Sequence, residues 1–69
     1  MSSASDFAEL SSLRAQLEEL NLRIVAVGDR YRDTDDSAVS AELDQAERSL
    51  HGARRALDRA ISVLSEMDC

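Results

Sequence analysis

The 69-residue sequence contains no proline, tryptophan or lysine, and only two glycines, one cysteine, one histidine, one phenylalanine and one tyrosine. Each scarcity excludes something. Without proline, and with glycine rare, the strongest helix breakers are missing. A single cysteine rules out an internal disulfide, and one Cys with one His is a poor zinc set. Strands draw on alternating β-branched and aromatic residues, and that alternation is absent. All eight basic residues are Arg, outnumbered by 14 Asp and Glu, for a net charge of −6. Such a chain repels phosphate backbones overall, which argues against nonspecific nucleic-acid binding. There is no run of about 18 apolar residues to cross a membrane. The first ten residues, Met-Ser-Ser-Ala-Ser-Asp-Phe-Ala-Glu-Leu, lack the basic and apolar regions of a secretory signal. The expected location is therefore cytoplasmic.

What is present is Leu, Ala, Val and Ile in two long series. Leu10, Leu13, Leu17, Leu20, Ile24, Val27 and Tyr31 are separated by alternating steps of 3 and 4. Val39, Leu43, Ala46, Leu50, Ala53, Leu57, Ala60, Leu64 and Met67 continue the same alternation. A mean period of about 3.5 is a helical heptad and excludes strand. We expect a flexible N-terminus over residues 1–5, a first helix over 6–32 opened by Asp6 and Glu9 as a capping box, a turn over 33–36, and a second helix over 37–67. Tyr31 keeps the heptad phase beyond Gly28, so the first helix is expected to pass through that glycine. Thr34, Asp35, Asp36 and Ser37 are all candidate caps for the second helix.

So short a turn forces the helices antiparallel. The fold class is all-α, an antiparallel two-helix coiled-coil hairpin with a Leu/Ala seam. In it, residues whose numbers sum to about 70 face each other, so that large side chains of the first helix oppose Ala46, Ala53 and Ala60. Apolar residues remain outside this seam. Phe7, Ala56, Ile61 and Val63 are expected at a dimer interface, because two hairpins packed as a four-helix bundle would cover them. A partner subunit also answers the size problem, since a 60-residue unit buries only about 60% of its unfolded surface.

Several constellations bear on chemistry. Asp33, Asp35, Ser37 and Asp44 fall at calcium-loop spacings, but Ala38 stands at the obligatory glycine and Asp44 at the bidentate glutamate. These acids read as turn and cap residues, and no metal or cofactor is expected. Arg48, His51, Arg55 and Arg59 recur every 3 or 4 residues as a basic stripe on the second helix, suited to an acidic partner. An RNA-binding hairpin dimer is an alternative use of that stripe, though no aromatic side chain is there to stack on bases. Local pairs such as Asp44 with Arg48 and Arg54 with Asp58 are expected along the same helix. Cys69 reads as a terminal free thiol.

Ser40-Ala41-Glu42-Leu43-Asp44 resembles the Ser-Gln-Glu-Leu-Asp motif of the sporulation-type aspartyl-phosphate phosphatases. Those are also small antiparallel helical hairpins with the motif early in the second helix. The likeness covers the motif and the general layout from Leu13 to Leu50. The resemblance implies that Ser40, Glu42 and Asp44 help remove phosphate from the aspartate of a response regulator. Ala41 replaces the family's Gln, so the amide that would orient water is missing.

The leading expectation from the residues themselves is a non-catalytic protein-interaction module: a homodimeric regulator, adaptor or inhibitor. Leu22, Val25 and Ala26, with the stripe Arg48, His51, Arg55 and Arg59, are the candidate surface for an unidentified partner protein.

Overall fold

A computed structural model describes residues 3–67. Two helices, α1 (Ser3–Tyr31) and α2 (Ser37–Met67), pack antiparallel as a hairpin. The Cα trace measures 54 × 15 × 14 Å, a rod two helices wide. No described residue is in a strand. Helix α1 is continuous through Gly28, as the phase of Tyr31 requires. It starts at Ser3, so residues 3–5, expected to be flexible, are helical. Ala4 and Ser5 favour or tolerate helix, so Asp6 lies inside the first turn and not at the cap expected of it with Glu9, though the helix dipole favours its carboxylate there.

The turn is built by two residues. Asp33 takes the left-handed conformation, φ 63°, just past the end of α1. Glycine usually fills this position, and Asp is among the few other residues that tolerate it. Thr34 then ties both helices together. Its hydroxyl donates to the Tyr31 carbonyl (2.6 Å) and accepts from the Asp36 amide (3.2 Å). Backbone bonds from Thr34 N to the Tyr31 carbonyl and from Ser37 N to the Thr34 carbonyl close the loop.

The helices face each other along rows rotated from the expected seam. Leu10, Leu17 and Ile24 of α1, and Leu43, Leu50, Leu57 and Leu64 of α2, are half-buried as expected. Of the residues alternating with them, Ala46 is half-buried as expected, but Leu13, Leu20, Val27, Val39, Ala53 and Ala60 are all exposed. In their place come Arg14, Asn21 and Gly28 on α1, and Ser40, Glu47, Arg54 and Ile61 on α2. At 3.6 residues per turn this is a rotation of about 50° for each helix. Its physical cause lies near the turn, where α1 meets α2 at Gly28 and Leu43. Gly28 and Ser40, two of the smallest side chains available, occupy that point and are buried. A Cβ on Gly28 would lie 3.4 Å from the Leu43 Cβ. Leu or Val at this point would hold the helices apart.

Rotation has a cost in burial. Among the described residues no apolar side chain is fully buried, and the only buried side chain is that of Ser40, 5% exposed. The Leu rows are shared between the hairpin's own interface and its surface.

Candidate functional site: two unlike side faces

In an antiparallel hairpin the residues just outside the seam fall on two opposite sides. Here the two sides differ in chemistry. One carries ion pairs between the helices. Near the turn, Arg32 grips Asp44 with both terminal nitrogens (3.1 and 3.3 Å) and also reaches Asp29 (3.3 Å). At mid-length Arg54 Nη1 donates to Glu18 Oε1 at 2.8 Å. Further from the turn Arg14 Nε lies against the Asp58 carboxylate, with Glu18 at 3.9 Å from its other end. The expected local pairs are thus replaced. Asp44 turns to Arg32 rather than to Arg48, whose guanidinium bonds Gln45 (2.9 Å), and Arg54 and Asp58 each reach across to α1. Arg14 and Arg54 project from inward-facing positions, so the facing helix is nearer than the next turn of their own. The Arg32 hydrogen bond holds the Asp44 carboxyl below its ordinary range, against the opposing effect of burial.

Between these ion pairs lies a groove of about 280 Å³, lined by Leu17, Glu18, Asn21, Leu22, Leu50, His51 and Arg54. Asn21 Oδ1 and Arg54 Nε are shielded from solvent and have no hydrogen-bond partner among the described residues. Leu22, on the rim, is 69% exposed, the highest among the large apolar side chains described. Two residues expected to bind a partner, Leu22 and His51, therefore meet in one recess. Val25 is half-buried and Ala26 exposed, while Arg48, Arg55 and Arg59 lie exposed along α2. Asn21 and Arg54 were not expected at this site. The signal was available in their spacing: both fall beside a seam Leu, in a row that reads as polar.

The opposite side is apolar. Leu13, Leu20 and Val27 of α1 lie level with Ala60, Ala53 and Ala46 of α2, and Val39 and Met67 extend the strip at its two ends. Ala56 and Val63, expected at a dimer interface, border this strip. Ile61 does not. It is half-buried on the row facing α1, because the rotation that exposes Ala60 turns its neighbour inward. Phe7 is partly exposed near the open end of the hairpin.

The motif residues of α2 are spread around the helix. Ser40 faces α1, its hydroxyl donating to the Ser37 carbonyl at 2.8 Å. Glu42 is exposed, and Asp44 is held by Arg32. Among the described residues no three His, Cys, Asp or Glu side chains are placed to hold a metal ion, and no helix is long and apolar enough to cross a membrane. Cys69 lies outside the described residues.

The chain matches no protein-family model, and no curated protein or solved structure is significantly similar to it.

Proposed function

We propose that this chain is a non-catalytic protein-interaction module that binds a partner protein over the groove at Leu22, His51 and Arg54. The observation carrying this reading is the pairing of shielded, unpartnered polar atoms with an exposed apolar rim. Native structures leave few shielded polar groups unpaired, since each costs about 1–3 kcal/mol. A partner side chain that draws Asn21 and Arg54 toward the groove mouth, with a donor for Asn21 Oδ1 and an acceptor for Arg54 Nε, would recover that cost. Leu22 would lose most of its exposed surface in the same event. The neighbouring Arg48, Arg55 and Arg59 favour an acidic partner surface, which bidentate guanidinium contacts recognise well. Binding would act by occluding or scaffolding the partner, and no step of it requires a reaction.

The test is retention of partners from the native cell extract by wild type and by two variants, Leu22→Glu and Arg54→Ala. The reading expects a protein held by wild type and lost with either substitution. Identical retention by all three contradicts it. So does loss of phosphate from a phosphorylated receiver domain that stops with Asp44→Ala, which would establish the phosphatase alternative instead.

A further inference from the structure

We propose that the apolar side of the hairpin, opposite the groove, is occupied by a second copy of this chain, giving a four-helix bundle. This inference uses a different surface from the proposed partner groove and adds self-association to that reading.

Four observations carry it. First, the hairpin is unfinished: no apolar side chain among the described residues is fully buried. A chain of this size with no disulfide needs another layer to bury a core. Second, the position of the apolar rows is the one a bundle requires. In a four-helix bundle each helix has two neighbours, so its apolar stripe is wide and its centre points to the bundle axis. Here Leu10, Leu17, Ile24, Leu43, Leu50 and Leu57 occupy that central row. The polar row beside it faces the hairpin's own partner helix, and the apolar row on the other side faces outward. Third, the strip is large enough. Between its ends at Val39 and Met67 it runs about 42 Å at about 1.5 Å per residue, across two helices about 20 Å wide with their side chains. That is on the order of 800 Å² per copy, about the area per partner of a stable interface.

Fourth, the strip complements itself. Helix α1 presents the large Leu13, Leu20 and Val27, whereas α2 presents the small Ala60, Ala53 and Ala46 at the same levels. A two-fold axis along the hairpin sets α1 of one copy over α2 of the other, so each large side chain lies over an alanine. The same axis brings Arg30, on the outer edge of α1, level with the Glu42 carboxylate of the second copy, an opposite charge. A two-fold uses the same patch on both chains and closes at two. The ion-paired side presents only the short groove around Leu22 and no second apolar strip along its length, so assembly stops at two.

The experiment is sedimentation equilibrium of the full chain at micromolar concentration, with Leu20→Glu and Ala53→Glu on the strip and Leu22→Glu on the opposite side. Wild type and Leu22→Glu are expected at twice the 7.6 kDa chain mass. Either strip substitution is expected to raise the dissociation constant at least tenfold. Should the strip variants fail to fold, isotope-filtered NOEs in wild type mixed from labelled and unlabelled chains decide. Contacts between copies are expected at the Leu13 and Leu20 methyls. Three results overturn the proposal: a fully helical wild type of one chain mass, a dimer indifferent to both strip substitutions, or inter-copy contacts confined to Leu22 and His51. The first two leave the groove untouched, and the third would make the groove itself the surface between copies; its partner protein is tested separately.

Discussion

Replacing the two glycines separates helix propensity from helix packing. Gly52 is exposed in mid-α2 with nothing within 4 Å of where a Cβ would stand. Gly52→Ala is therefore expected to gain the full propensity difference, about 0.8–1.0 kcal/mol. At about 4–8 °C per kcal/mol for a domain of this size, the melting midpoint rises by roughly 3–8 °C. Gly28→Ala carries the same propensity gain, and its methyl group would meet the Leu43 Cβ at 3.4 Å and Cδ1 at 3.7 Å, ordinary contact distances. It should stabilise at least as well. Larger side chains part the two sites. Gly52→Leu keeps most of the gain. Gly28→Leu forces the helices apart near the turn, where overpacking costs about 1–3 kcal/mol. The two leucine variants should differ by about that amount. The assay is thermal unfolding followed by circular dichroism at one fixed chain concentration, because any association makes the midpoint concentration-dependent. Equal stabilisation by both leucines would refute the close approach of α1 and α2 at Gly28.

Four further outcomes follow from the turn, the ion pairs and the seam. Asp33→Gly relieves a left-handed residue and should stabilise by about 1 kcal/mol in the same unfolding assay, whereas Thr34→Val removes both of its hydrogen bonds and should cost about 1 kcal/mol or more. The Asp44 carboxyl is depressed in the folded chain by Arg32, so its contribution is complete above the unfolded value near 4 and is lost as pH falls through the lower folded value. Asp44→Asn should therefore be less stable than wild type at pH 7 and equal to it near pH 2, and a stability gap that persists at low pH would show that this carboxylate is not what couples folding to acid. Leu50→Ala, on the half-buried row, should cost about 1–2.5 kcal/mol, roughly half the penalty of a fully buried leucine.

Much of the fold can be read from the residues. The absence of proline, the caps around Thr34 and the unbroken 3-4 spacing account for both helices, the continuation through Gly28 and the antiparallel turn. The side of the stripe on which the helices meet is harder to read. Leu10, Leu17, Ile24 and Leu43, Leu50, Leu57 belong equally to a seam completed by Leu13, Leu20 and Val27 and to one completed by Arg14, Asn21 and Gly28. Periodicity locates the stripe without choosing between these. The choice is made by sterics at one point, where Gly28 and Ser40 permit close approach, and by arginines long enough to reach across. For the same reason the ion pairs were not evident. Spacings of four along one helix compete with contacts between helices that appear only once the register is known. Of the site residues, Leu22 and His51 were legible as leftovers outside the seam. Asn21 and Arg54 were hidden by their position beside it.

We propose that the hairpin's apolar stripe is divided, half buried within the chain and half covered by a second copy. The most direct test is to dilute the wild-type protein from tens of micromolar to nanomolar while following helicity and mass together. The account predicts twice the 7.6 kDa chain mass with full helicity at the upper end, and a joint fall in both on dilution, because assembly supplies the core. Full helicity at a single-chain mass across the whole range would contradict it.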